Sequence, residues 1–172
     1  LIEAAVGGGI PIIEPLKQSL GGNRINRVSG IINGTTNYIL TRMADEGAAY
    51  ETVLKDAQEL GYAEADPAAD VDGLDAADKI AILANLAFGG SVKRSAVPTA
   101  GISQLQGRDV DYAKQLGYGV KLLAVAERMK PSGDPLPLSL RVQPTLVPND
   151  HPLAGVNGVN NAILVEGDPI GR

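Results

Sequence analysis

The sequence predicts an α+β domain in which helices pack on one face of a mixed β-sheet. Three observations carry this reading. Helical spacing dominates the chain up to about Phe88, strand character dominates from Val120 onward, and an apolar content of 44% in 172 residues suffices for one core. A chain of this length removes roughly 70% of its unfolded surface from water on folding. The core must be mostly aliphatic, because there is no Trp, one Phe and five Tyr.

The elements follow in order. Ala4 to Pro11 is a glycine turn feeding a helix that starts near Pro11, a residue type favoured in a first helical turn. Leu16 to Leu20 continues that helix and Gly21-Gly22 ends it. Arg24 to Ile32 alternates and is β-branched, which reads as a strand. A helical stretch from about Asn37 to Glu46 repeats Tyr38, Ile39 and Met43 at helical spacing, and Tyr50 to Leu60 places Val53, Leu54, Ala57 and Leu60 on one side. A loop from Gly61 to Gly73 leads to the longest helix, Leu74 to Phe88, stopped by Gly89-Gly90. A short helix runs from Val110 to Leu116. Val120 to Arg128, Leu138 to Val147 and Asn161 to Glu166 read as strands, the first two joined by a turn at Pro131 to Pro135.

Composition narrows the chemistry. A formal charge of -5 without a Lys/Arg cluster argues against nucleic acid as a partner. No apolar run approaches the roughly 20 residues needed to span a bilayer, and no basic segment followed by an apolar one marks a signal peptide. With no Cys, disulfide scaffolds, thiolate zinc sites and Cys nucleophiles are excluded. The lone histidine, His151, sits in the turn-rich string Pro148 to Pro152 and reads as an exposed turn residue. Chemistry here must run on carboxylates, lysines, hydroxyls and a borrowed cofactor.

The informative stretch is acidic. Glu59, Glu64, Asp66, Asp70, Asp72, Asp75 and Asp78 occur with no base among them, and then Lys79 arrives. Such density costs stability unless a cation is held there, whether a metal, a lysine or a substrate ammonium. A calcium loop centred on Asp70-Val71-Asp72-Gly73 fails, since its last ligand position would be Lys79 rather than Glu. A plain helix start, with Asp72 as cap and Asp75 near the third position, explains Asp72, Asp75 and Lys79 but leaves Glu64, Asp66 and Asp70. The remaining reading is a pocket. Residues 75 and 79 share a helical face, and a loop carrying Tyr62, Glu64 and Asp70 can fold over it, making a site for a small zwitterion in which Lys79 relays protons.

Three blocks carry a resemblance. Gly61 to Pro67 with Asp70, Gly73, Asp75 and Lys79 is similar to the signature of homoserine dehydrogenases; Gly30 to Leu40 and Glu3 to Ile13 are similar to two further blocks of that family, in the same order. The resemblance covers essentially residues 1–172, as one substrate-binding and dimerisation domain cut at both ends. It implies interconversion of L-homoserine and L-aspartate 4-semialdehyde with NAD or NADP, in the cytoplasm, on the aspartate route to threonine, isoleucine and methionine. Within it, Lys79 resembles the catalytic lysine, Asp75 and Glu64 the catalytic and substrate carboxylates, and Gly34, Thr35, Tyr62 and Asp70 further substrate positions. Glu3, Val6, Gly8 and Ile10 resemble a segment that holds Na+ or K+ in some members, against the plain alternative of a tight glycine turn. The resemblance also implies a homodimer.

Departures accompany it. Gly7-Gly8-Gly9 lacks a preceding strand and does not satisfy GxGxxG, so the dinucleotide fingerprint is expected outside this segment, along with a second family lysine. Asn33-Gly34-Thr35 also matches a glycosylation pattern, read as coincidental. One rival stays open: a non-catalytic amino-acid-sensing or dimerisation module, which would have no need of Lys79.

Overall fold

The computed structural model describes residues 3–129, 137–169 and 171; the turn expected at Pro131 to Pro135 lies outside them. Four strands, β1 (Arg24–Ile31), β2 (Tyr118–Arg128), β3 (Leu138–Pro148) and β4 (Ala162–Asp168), form one sheet in the order β3-β2-β1-β4. The α+β class holds. The three strand pairings are all antiparallel, and parallel pairing among the described residues is confined to an isolated bridge between Thr99 and Val142. β1 and β2 are neighbours although residues 32–117, with all five helices, lie between them in sequence.

Among the described residues five α-helices accompany the sheet: α1 (Gly34–Glu46), α2 (Tyr50–Glu59), α3 (Ala68–Val71), α4 (Leu74–Phe88) and α5 (Gly107–Gln115). α1, α4 and α5 pack on β2. The main core joins Ile39, Leu40, Met43, Ile80, Leu83 and Ala84 of the helices to Val28, Leu122, Ala124 and Ala126 of the strands. The intervening residues Leu123 and Val125 point the other way, with Ile31 and Val147, and are covered by Leu153, Ala154 and Val156 from the β3–β4 connection. Burial on both faces is why Val120 to Ala126 is a continuous buried run instead of an alternating one.

Several boundaries moved for local reasons. The helix expected near Pro11 begins at Ile13 and continues as a π-helical turn, Pro15–Ser19, in which Leu20 N–H reaches back five residues to the Pro15 carbonyl. Glu3 caps that start, its carboxylate accepting from the amides of Ile13 at 2.8 Å and Glu14 at 3.2 Å. α1 starts at Gly34, before Asn37, because Asn33 caps it by accepting from Thr36 N–H at 2.9 Å. α5 starts at Gly107, where the Gln106 amide donates to the Asp109 carboxylate. The loop expected from Gly61 to Gly73 contains α3, which at four residues is too short to show periodicity. Two short 3-10 turns, Glu3–Ala5 and Arg94–Ala96, were likewise not foreseen. His151 sits in a turn but is half-buried, its Nδ1 accepting from Leu153 N–H at 3.2 Å.

Candidate functional site

The site forms where β1 ends. The chain leaves the sheet at Ile31, passes Ile32 and Asn33, and enters α1 at Gly34, so Asn33, Gly34 and Thr35 stand at the rim of the sheet. α3 and α4 approach the same rim. Gly73 joins them at φ 80°, a left-handed turn that a glycine makes without strain, and it precedes α4 with no side-chain cap. Asp72 is therefore not the cap of α4. It is exposed and ends α3, and the position before α4 is taken by Gly73. Asp75 is the second residue of α4, where the helix dipole favours a carboxylate, and Lys79 follows one turn later.

A cleft of about 420 Å³ opens here, lined by Asn33, Gly34, Thr35, Gly61, Tyr62, Asp70, Asp75, Lys79 and Val159. Lys79 Nζ donates to Asp75 Oδ2 at 2.6 Å and to the Ile32 carbonyl at 3.0 Å. Asn33 Nδ2 donates to Asp70 Oδ1 at 2.7 Å and to Asp75 Oδ2 at 3.0 Å. Two carboxylates from two helices are thus held by one amide, and one ammonium balances part of their charge. Thr35 Oγ1 donates to the Tyr62 carbonyl at 2.7 Å, which ties α1 to the loop after α2. Tyr62 also meets Tyr38 ring to ring at 5.1 Å.

Of the residues singled out in the sequence, Gly34, Thr35, Tyr62, Asp70, Asp75 and Lys79 line this one cleft. Glu64 does not; it is exposed, and its backbone carbonyl accepts from Gln58 Nε2 at 3.0 Å. Asn33 and Val159 were missed as site residues. Asn33 had a signal, since an Asn directly before a helix is a strong cap, but its second role needs α3 and α4 in place. With its amide bonded to both carboxylates and only 6% exposed, Asn33 is also no glycan acceptor. Val159 had no signal at all. It arrives from the β3–β4 connection, and its carbonyl lies so near Gly34 that a Cβ there would come within 2.8 Å of it.

Glu3, Val6, Gly8 and Ile10 lie apart from the cleft lining, in the turn before the first helix. Gly7 and Gly8 have φ 75° and 60°, and Ile10 N–H bonds the Gly7 carbonyl at 3.1 Å. Among the described residues no group of three or more His, Cys, Asp or Glu side chains is arranged to hold a metal ion. Gly7-Gly8-Gly9 follows a 3-10 turn rather than a strand, and the sheet among the described residues has no parallel βαβ unit. No helix among the described residues is long and apolar enough to cross a membrane.

Comparison with known proteins places this geometry in a family. The homoserine dehydrogenase family model matches residues 11–172. The homoserine dehydrogenase of Synechocystis sp. is 64% identical over 172 residues, covering 100% of this chain and 40% of that protein; that of Bacillus subtilis is 49% identical over 170 residues, covering 99% and 38%. The crystal structure of a homoserine dehydrogenase from Thiobacillus denitrificans superposes with a TM-score of 0.94 at 52% identity, over 99% of this chain and 38% of that one. A hyperthermophilic archaeal homoserine dehydrogenase mutant in complex with NADPH superposes with a TM-score of 0.80 at 30% identity, over 99% and 46%. The chain thus spans about 40% of the length of the curated relatives it matches. Matched along its whole length in sequence and in fold, the chain belongs to the homoserine dehydrogenase family.

Proposed function

We propose that residues 1–172 form the substrate-binding and dimerisation domain of an enzyme that interconverts L-homoserine and L-aspartate 4-semialdehyde with NAD or NADP, in the cytoplasmic route to threonine, isoleucine and methionine. The observation that carries this reading is Lys79, whose ammonium shares one cleft with Asp70 and Asp75. A zwitterion with a hydroxyl fits such a mixture. The carboxylates of Asp70 and Asp75 take the substrate ammonium, and the first-turn amides of α1 at Gly34 and Thr35, which have no intrahelical acceptor, face its carboxylate.

Lys79 then handles the proton of the reacting oxygen. Oxidation removes a hydride from the alcohol carbon, which the dinucleotide accepts, and a proton from the oxygen, which Lys79 takes either directly or through a water. In the reducing direction the ammonium polarises the aldehyde and returns the proton. Asp75, at 2.6 Å, orients Lys79. Glu64, exposed in the loop that carries Gly61 and Tyr62, serves the approach of the substrate ammonium. NAD or NADP, which accepts the hydride, is held mainly by a dinucleotide-binding domain outside residues 1–172.

A Na+ or K+ at Glu3, Val6, Gly8 and Ile10 would rest on the carbonyls of the last three, because the Glu3 carboxylate accepts from the Ile13 and Glu14 amides. Exchanging sodium for potassium during thermal unfolding tests it; identical melting in both, and in a buffer free of either, removes the ion. Sedimentation tests the homodimer, which a monomer at high concentration would overturn.

The substrate assignment is tested by NMR titration of this chain with L-homoserine, against L-threonine and L-serine. Selective, saturable shifts at Thr35 and from Tyr62 to Asp75 are expected. Equal shifts with all three amino acids, or shifts elsewhere only, would remove homoserine as the ligand of this cleft.

A further inference from the structure

Lys121, in the middle of the sheet on β2, is 4% exposed and pairs with no carboxylate among the described residues. Its Nζ donates to three neutral acceptors: the Val156 carbonyl at 2.6 Å, Asn157 Oδ1 at 2.8 Å and Asn37 Oδ1 at 3.3 Å. Burial pushes the ammonium below its ordinary value, and the charge of Asp45 acts the other way. An apolar residue would sit here without that desolvation penalty.

What the lysine holds explains its presence. Val156 and Asn157 belong to the connection between β3 and β4. Asn37 of α1 reaches the same stretch, donating to the carbonyls of Val156 at 3.1 Å and Asn160 at 3.0 Å, and Thr41 Oγ1 accepts from Gly158 N–H at 3.0 Å. Segment 156–160 is thereby pinned from β2 and α1. Within it Val159, 46% exposed, lines the cleft and sets its carbonyl against Gly34.

We propose that Lys121 is a positioning residue that sets substrate affinity, by fixing through Val156 and Asn157 where the Val159 wall of the cleft stands against Gly34. The proposal rests on the reading of that cleft as the amino-acid substrate site. The hydrogen-bond partners of Lys121 are not lining residues; it acts through the segment it anchors. An uncharged residue at 121 lets the segment drift, widening the cleft without touching Lys79, Asp75 or Asn33.

Steady-state kinetics of the full-length enzyme containing this chain tests it, with Lys121→Met and Asn157→Ala. Asn157 is exposed, so its replacement keeps the fold even if Lys121→Met does not. In both variants the KM for homoserine should rise, by about tenfold for Lys121→Met, with kcat and the KM for the dinucleotide little changed. The double variant should be no worse than Lys121→Met alone, since both remove the same anchor. An unchanged homoserine KM in Asn157→Ala, or a fall in kcat at constant KM, would overturn the proposal. Lys79→Ala run alongside separates the two levels: normal kcat in that variant defeats the cleft reading itself, whatever Lys121 does.

Discussion

Lys79 Nζ and Asp75 Oδ2 lie 2.6 Å apart, one turn along the same helix and each about a quarter to a third exposed. A pair of this kind contributes only about 0.3–0.5 kcal/mol to stability. Its consequence is orientation. With Asp75 and the Ile32 carbonyl as acceptors, two of the three donor protons of Lys79 are committed, and the third is left for an oxygen in the cleft.

Replacing Lys79 by Ala in the intact enzyme should lower kcat by roughly 10²–10⁴-fold while homoserine still shifts the amides around the cleft. Lys79→Arg should not restore the rate, because a guanidinium cannot give up its proton. Stopped-flow reduction of the dinucleotide reads both. If homoserine binding survives and no activity was there to lose, the sensing-module reading prevails.

Asn33 is the member whose loss should unfold the site rather than silence it. Asn33→Ala removes the cap of α1 and the amide between Asp70 and Asp75, and should cost about 1–3 kcal/mol in urea unfolding. Asn33→Asp keeps a capping oxygen but sets a third carboxylate against two. It should be destabilised as well, and a wild-type urea midpoint for Asn33→Asp would show that the amide bonds contribute nothing.

Gly101 has no charge and lies outside the cleft, yet it controls one wall. A Cβ there would meet the Val71 carbonyl at 2.2 Å and Asp72 Cα at 2.5 Å, both backbone, while Ile102 N–H bonds that same carbonyl at 2.8 Å. Gly101→Ala should cost about 1–3 kcal/mol and displace α3 with its Asp70, weakening homoserine binding. Gly155→Ala, with open space around it, is the control and should stay within about 0.5 kcal/mol. Equal melting of the two variants would refute the argument.

Tyr50 gives a pH signature. Burial first, then the charges of Asp72 and Glu51, raise its phenol above 10.0 in the folded chain. The unfolded chain releases the proton near pH 10 and the folded chain keeps it, so stability declines as pH rises above 10. Lys121 works oppositely: its folded value lies below 10.5, so its penalty is relieved as pH approaches 10.5. Tyr50→Phe should therefore hold its stability better than wild type between pH 10 and 11, by urea unfolding. Parallel curves over that range would mean that burial does not perturb Tyr50.

The sequence by itself determined the longer elements and most of the cleft. α4 was legible from Leu74 to Phe88 because the pattern and the flanking glycines are local properties of the chain. Asp75 and Lys79 were legible as a pair because a helix fixes residues one turn apart. The tertiary structure alone decided the rest. α3 is too short to carry a period, and Glu64 belongs to the same acidic run as Asp70 yet stays outside the lining. Asn33 and Val159 meet at the site across a separation of 126 residues in sequence. Hydrophobic periodicity records which face of an element is buried, but not which distant polar group will come to stand against it. That is set by how sheet and helices pack, and a polar contact leaves no repeat in the chain to read.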